Sequence, residues 1–408
     1  MKRHKMFWSS LSRHVLRTAG FIAAVLFMTA QTWGQTPMTM PMPAATATPT
    51  PTPMVVTKPT PNGTVKMPMP TPTPVGMVPS PTPKPDMKDM KQSGDTSKDD
   101  GMGDVMMGAA GLVPHELMVG KAGRWMVSYH FMIDRLSGKL DGTRRVSDAS
   151  VLSHFEASPT DMTMNMHMFM VMYAPTNRLT LMAMLTYTKM SMGELHRDGT
   201  LSTESSQGIG DVELQANYVL YARKDLRHRF LLNVGVGLPT GSINAKDAEG
   251  ARLEYPMQLG SGTFSVKPGF TYLGQAVPWG WGAEFIPTLR IGTNSIGYRL
   301  GNHYQPSVWG ARRITPWLSE TARLDGDILG NIKGKDPLLD PLSEPTKDTR
   351  LQGGRRLDLV FRTSLHPVKG ALKGHAFFVD VVKPIYQSLD GPQLARRWAV
   401  RLGWHVEF

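Results

Sequence analysis

Arg397-Trp398-Ala399-Val400-Arg401-Leu402-Gly403-Trp404-His405-Val406-Glu407-Phe408 is the stretch whose reading decides the fold. In an extended chain Trp398, Val400, Leu402, Trp404, Val406 and Phe408 share one face, and Arg397, Ala399, Arg401, Gly403, His405 and Glu407 share the other. A helix would scatter these two sets around its circumference, whereas successive strand residues point to opposite sides. One side suits hydrocarbon and the other a polar interior, which is how a strand of a transmembrane barrel reads.

The same period of two runs upstream. Trp125, Val127, Tyr129, Phe131 and Ile133 alternate with Met126, Ser128, His130, Met132 and Asp134; Val212, Leu214, Ala216, Tyr218 and Leu220 alternate with Asp211, Glu213, Gln215 and Asn217. Further alternating segments fall at 230–238, 264–272, 281–291, 304–313, 318–328, 356–365 and 376–385, separated in turn by short turns and longer Gly/Asp-rich loops. With the two methionine-rich segments described below, the expectation is an all-β, antiparallel up-and-down barrel of about twelve strands spanning residues 115–408, an even number that leaves both ends on the periplasmic side. A closed barrel is the only sheet that lipid tolerates, because every backbone group is paired.

What precedes the barrel is compositionally different. Lys2, Arg3, Lys5, Arg13 and Arg17 precede an apolar run from Ala19 to Ala30, with small residues for cleavage after Ala30 or Gly34. This reads as a signal peptide over residues 1–34, since about a dozen apolar residues fall short of the roughly 20 that a membrane helix needs. Residues 35–114 hold Thr-Pro repeats, and 16 of the chain's 32 prolines lie between Pro37 and Pro85. Little there can be buried against the entropy of ordering, so a disordered Pro/Thr/Met-rich periplasmic tail is expected, available to a periplasmic partner. Arg401-x-Gly403-x-x-Val406-x-Phe408 resembles the C-terminal signal read by outer-membrane assembly machinery, which adds that machinery and outer-membrane lipid as partners.

Charge and cysteine content exclude other classes. Of the net +12, five charges belong to the first 35 residues and none to residues 36–108, leaving +7 on the remaining 300 residues. That excess is too dilute for a nucleic-acid face. The absence of cysteine excludes disulfide frameworks, lipoprotein anchoring, thiol catalysis and Cys-based metal sites.

All 29 methionines lie at or before Met257. Met162, Met164, Met166, Met168, Met170 and Met172 alternate without a gap, which fixes them to one face of a strand. In the following strand Leu179, Leu181, Ala183, Leu185 and Tyr187 make the lipid-compatible face, leaving Thr180, Met182, Met184, Thr186 and Met190 inward. A hairpin centred on Thr176 sets Met170 against Met182, Met168 against Met184 and Met162 against Met190. The expected lumen-binding set is Met126, His130, Met132, Met166, Met168, Met170, Met172, Met182, Met184 and Met190, with His405 brought near Met126 by closure. Thioether and imidazole are soft ligands, so Met168, Met170, Met182, Met184 and His130 are candidate ligands for Cu(I). The competing reading is that methionine, a flexible apolar side chain, fills the lumen or lines a path for an apolar solute. Met38, Met40, Met42, Met67, Met69, Met106 and Met107 occur in the tail, where no core exists to fill, and this favours a ligand role. Arg323, Asp325, Asp327, Arg356, Asp358, Arg362, Arg397 and Arg401 are expected inward as an ion-pair ladder on the other side of the lumen.

Gly123-Arg124-Trp125-Met126-Val127-Ser128-Tyr129, the turn Tyr173-Ala174-Pro175-Thr176-Asn177-Arg178-Leu179-Thr180-Leu181-Met182, Gly208-Ile209-Gly210-Asp211-Val212, Gly237-Leu238-Pro239-Thr240-Gly241 and Pro384-Ile385-Tyr386-Gln387-Ser388-Leu389-Asp390-Gly391-Pro392-Gln393-Leu394 together resemble the Met-rich outer-membrane barrels of the phenol-degradation MetA-type transporter family. The resemblance covers residues 115–408 and implies an outer-membrane protein with a transport role. Related chains carry a His/Met cluster before the first strand, where this chain has only His115 and Met118.

Catalytic motifs are lacking: there is no Gly-x-Ser-x-Gly elbow, no His-Glu-x-x-His and no phosphate loop. His154, His303 and Ser307 are the residues from which a loop-borne triad would have to be built. The sequence thus points to a non-enzymatic outer-membrane channel for a soft metal ion, copper, or a small apolar solute. The alternative is a non-transporting scaffold or adhesin whose barrel is plugged by side chains.

Overall fold

The computed structural model describes Leu112 and residues 120–408. The expected signal peptide and tail, with His115 and Met118, lie outside the described residues. No helix among the described residues is long and apolar enough to cross a membrane, and the wall is made of strands.

The elements in chain order are β1 (Trp125–Gly142), β2 (Arg144–Val146), the one-turn helix α1 (Asp148–Leu152), β3 (Ala157–Thr176), β4 (Leu179–His196), β5 (Leu201–Ile209), β6 (Val212–Ala222), β7 (His228–Leu238), β8 (Phe264–Ala276), β9 (Trp279–Ile291), β10 (Tyr298–Arg299), β11 (His303–Thr315), β12 (Leu318–Leu329), β13 (Lys333–Gly334), β14 (Gly354–Leu365) and β15 (His375–Glu407). Each barrel strand pairs antiparallel with its neighbour in the order β15-β14-β12-β11-β9-β8-β7-β6-β4-β3-β1, and β15 pairs back onto β1 to close the ring. β2 and β5 add to the ends of β1 and β4, and β10 pairs with β13 outside the ring.

An antiparallel ring closes only with an even number of members, yet eleven elements lie on this one. The twelfth crossing is the second half of β15. Leu389 pairs with Gly354 on one side and Gly142 on the other, and the chain reverses there. The two arms then run side by side: the Glu407 amide donates to the Gly374 carbonyl, and the Gln387 amide side chain bonds both the N–H and the carbonyl of Arg396. Twelve crossings therefore make the wall, as the alternation predicts.

Connections are short on the rim that carries the described N-terminal residues and Phe408: 177–178, 223–227, 277–278, 316–317 and 366–374. On the opposite rim they are long: 143–156, 239–263, 292–302 and 330–353. β1, β3 and β4 have 18, 20 and 18 residues, well beyond the roughly 10 that span a bilayer, so their far ends rise above the wall and carry β2 and β5.

The exterior is what lipid requires. Trp125 stacks on Tyr173 at 4.5 Å, Phe230 lies 4.9 Å from Tyr272 and 6.2 Å from Tyr221, Arg312 caps Trp279, and the Trp404 indole donates to His375 Nδ1 at 2.9 Å. These amphipathic rings all fall at the short-turn rim and make an aromatic girdle there. Phe408 closes the seam, exchanging backbone hydrogen bonds with Trp125 at 2.9 Å in both directions. Higher on the wall the outward His167 would be an unmatched polar group in lipid, but its Nδ1 shares a 2.8 Å hydrogen bond with the Tyr129 hydroxyl.

The long-loop rim is a packed layer of its own. Tyr255, Tyr298, Ile332 and Leu339, drawn from three different loops, form one buried cluster, with Tyr255 and Tyr298 edge to face at 5.0 Å. The Asp336 amide donates to the Tyr255 hydroxyl, and Arg252 pairs with Asp336 at 3.4 Å.

Candidate functional site

β3 and β4 carry the methionine stripe, and burial places its face. Met170 and Met172 are 3% and 2% exposed, while the intervening Phe169 and Val171 are 50% and 44% exposed. The methionines point into the barrel, as do Met126, Ser128, His130, Met132 and Asp134 on β1. Strand phase alone achieves this, because a one-residue shift would turn the whole set to the lipid.

The register differs from the sequence expectation by two residues. Met172 opposes Met182, Met170 opposes Met184, Met164 opposes Met190 and Met162 opposes Met192. The cause is the turn: β3 runs on to Thr176 with an irregularity after Tyr173, and only Asn177 and Arg178 make the reversal. The shift is even, so every methionine keeps its face. On the other side Met126 opposes Met172, His130 opposes Met168 and Met132 opposes Met166. His405 sits opposite Ser128, two residues along from Met126.

The stripe divides into three packed groups stacked along the lumen. Nearest the short-turn rim are Met126, Met170, Met172 and Met182, with Met184 against them. At mid-height Met132, with Met166 and Met168 beside it, joins Val360, Val382 and Ala399. Toward the long loops Met162, Met190 and Met192 pack against Leu253 and Met257 of the β7–β8 loop, with Met164, Leu136, Leu259 and Leu394 around them. From Met162 to Met172 the stripe runs roughly 33 Å along β3, at about 3.3 Å per residue. It is therefore one apolar track that begins under the loop layer and ends near the short-turn mouth. There a small cleft is lined by Gly120, Met126, Met172, Ala174 and Thr180, and Leu112 packs against the inner side of Gly280.

The facing wall is ionic. Arg396 donates to Asp134 at 2.9 Å and to Asp358 at 2.7 Å; Arg356 pairs with Asp358 at 3.0 Å and with Asp327 at 2.9 Å, and His303 Nε2 lies 3.2 Å from Asp327. Asp380, fully buried, holds Arg362 at 2.6 Å and Arg401 at 3.0 Å, and Arg323 pairs with Asp325 at 2.6 Å. Charges withdrawn from water in this way cost less when each has a partner, and the ladder supplies one for each. Phe378 lies at its edge, with the Arg362 guanidinium 4.0 Å above its ring and His130 against it at 5.0 Å. One member of the expected ladder is corrected. The pairing with β1 slips between Arg135 and Leu136, opposite Arg397, and this bulge turns Arg397 to the exposed exterior and leaves Arg396 inside.

The residues proposed for a loop-borne triad are engaged elsewhere. His154 Nδ1 bonds Ser153 and the Ser150 carbonyl on α1, and His303 belongs to the ionic ladder. Of the assembly-signal residues, Arg401 binds Asp380, Gly403 leaves room for the Phe378 ring, and Phe408 and Val406 lie along the seam with β1.

A group missed in sequence lies above the stripe. Glu194, Glu204 and Glu254 bring one carboxylate oxygen each within 4.8 Å of the others. Burial in the loop layer, followed by the neighbouring Glu204, pushes the Glu254 carboxyl up to about 10.

The sequence matches no protein-family model and no curated protein. Solved structures do resemble it. The crystal structure of an outer-membrane channel from Pseudomonas putida F1 is 14% identical, with a TM-score of 0.54 over 72% of this chain and 99% of that one. A Pseudomonas aeruginosa FadL homologue is 10% identical with a TM-score of 0.37 over 75% of this chain and 97% of that one. The P. putida toluene transporter TodX is 11% identical with a TM-score of 0.38 over 71% and 91%. At such identities only the first likeness bears on this chain, and what it shows is the fold: an antiparallel barrel of the outer-membrane kind.

Proposed function

We propose that the chain is an outer-membrane channel that passes small apolar solutes along the methionine side of its lumen, with the long-loop rim outward and the chain ends and tail in the periplasm. The observation that carries this reading is the unbroken stripe from Met192 and Met162, beneath the loop layer, to Met126, Met172 and Met182 at the other mouth. A solute moving there exchanges one flexible apolar contact for the next and is never held by a single deep pocket, which is what conduction needs. The ionic wall opposite stays rigid, and its Val360, Val382 and Ala399 extend the apolar track at mid-height. Leu253, Val360, Val382 and Ala399 as partners of the methionines suit a greasy track, and Cu(I) gains no support from them.

The test is uptake of N-phenyl-1-naphthylamine, a fluorescent apolar probe, by cells carrying the full chain in an outer membrane otherwise poor in channels. Faster entry than in cells without the chain is expected, and Met168→Asp combined with Met184→Asp slows it several-fold while the folded band persists on unheated gels. Uptake equal to that of cells lacking the chain overturns the reading. Planar-bilayer conductance then tells a channel from a plugged scaffold.

A further inference from the structure

Every buried aspartate of the wall and loop layer has an arginine beside it: Asp134 has Arg396, Asp336 has Arg252, Asp348 has Arg350, Asp358 has Arg356, and Asp380 has Arg362. Glu194, Glu204 and Glu254 are different. Glu254 is 0% exposed and Glu194 1%, and neither Glu254 oxygen is matched with an N–H or hydroxyl donor; one oxygen of Glu194 and one of Glu204 are likewise buried without a donor. Each has other carboxylates beside it. Glu344 joins the group, and the ammonium of Lys347 is given to Glu344 at 2.6 Å. Four carboxylates thus share one ammonium, above the floor formed by Met162, Met190, Met192, Leu253 and Met257.

Three carboxylates aimed at a common point cannot all stay ionised out of water without a cation. We propose that Glu194, Glu204 and Glu254 form a binding site for a hard divalent cation, calcium, which ties the β7–β8 loop to the β4–β5 hairpin above the methionine track. Oxygen-only donors select hard ions, and soft ions find no thiolate or imidazole among these three. Within that class, glutamates that can each offer two oxygens suit the six to eight ligands of calcium, whereas magnesium keeps several waters that a site with two fully buried members has little room for. The three residues come from β4, from β5 and from the long loop that also supplies Leu253 and Met257, so the ion fixes the segment that roofs the apolar track. The inference does not depend on what the channel carries.

The experiment is equilibrium dialysis of the full-length protein in detergent, first stripped with EDTA, against radioactive calcium at about pH 7.5. About one calcium per chain is expected, with magnesium competing at least tenfold more weakly. Glu254→Gln weakens binding at least tenfold, and the triple variant Glu194→Gln, Glu204→Gln, Glu254→Gln abolishes it while retaining the folded band on unheated gels. Because the carboxylates must lose their protons to bind metal, calcium added to weakly buffered wild-type protein releases at least one proton per ion. Absence of calcium binding by the wild type, or equal binding by the triple variant, overturns the proposal; the first of these needs no variant to fold.

Discussion

Arg396, near the start of the barrel's last crossing, grips Asp134 on the first strand, and the two residues stand 262 positions apart in the chain. The same guanidinium reaches Asp358 on β14, so one side chain holds three neighbouring segments at the seam where the ring closes. Replacing it with Met leaves Asp134 without its arginine and Asp358 with Arg356 alone, and breaking a buried pair in this way costs about 3–5 kcal/mol. We expect Arg396→Met to lower the temperature at which the folded band disappears on gels, and Arg397→Met, on the exposed exterior of the bulge, to leave it nearly unchanged. Equal effects of the two substitutions would contradict the assignment of the bulge.

The register of the methionine hairpin has a direct test. Cysteines introduced at Met172 and Met182 face each other across β3 and β4, whereas cysteines at Met170 and Met182 are one step out of register on the same face. Oxidation is expected to link the first pair faster than the second. The reverse order would restore the hairpin centred on Thr176.

Strand phase was legible in the sequence because it depends only on alternation, which is why the lumen-facing sets of β1, β3, β4 and β6 emerge intact. Register was not, since it hangs on how many residues the turn consumes, and Asn177-Arg178 consumes two where a turn centred on Thr176 was expected. The bulge at Arg397 was equally hidden: it follows from pairing with β1, and Arg396-Arg397 offers two identical side chains to choose between. The acidic cluster was invisible for a third reason. Glu194, Glu204 and Glu254 belong to three segments whose approach is set by the packing of long loops, and no spacing rule joins them. A cue was nonetheless present in Glu254, a charged residue between Leu253 and Tyr255, both of which are buried.

The quadruple replacement of Met168, Met170, Met182 and Met184 by Leu separates the two readings of the stripe. Leucine keeps the apolar volume to within what cores tolerate, so uptake of an apolar probe should change less than about twofold. A copper role would instead show as Cu(I) retained by the purified wild type and lost from this variant in elemental analysis. Loss of apolar uptake together with retained Cu(I) in the wild type would transfer the proposed function to the metal.

Gly403 lies where the Phe378 ring needs space, so a Cβ there would fall within the ring's own volume. Gly403→Val should therefore impair folding and reduce the amount of barrel in the outer membrane, by several-fold on immunoblots of membrane fractions. Phe378→Ala removes the obstruction, and the double variant should recover part of the loss. If Gly403 acts only as a letter of the assembly signal, Phe378→Ala will bring no recovery.

The acidic cluster also makes stability depend on pH in a direction that calcium should cancel. Glu254 has an ordinary carboxyl value of 4.5 when unfolded and one of about 10 in the folded, metal-free loop layer, where burial, then Glu204 and Glu194, raise it and the ammonium of Lys347 lies nearby. A folded value raised above the unfolded one means that the contribution to stability is complete below about 4.5 and is lost progressively as the pH climbs toward 10. In EDTA, the temperature of half-unfolding followed by tryptophan fluorescence should thus decrease as the pH is raised from about 6 to about 9. A bound divalent ion favours the ionised carboxylates, so millimolar calcium should shrink that fall, and the Glu254→Gln protein, which cannot ionise there, should show a smaller fall with or without the ion. A midpoint in EDTA that rises over this range would mean that the burial of Glu254 does not govern the loop layer's response to pH.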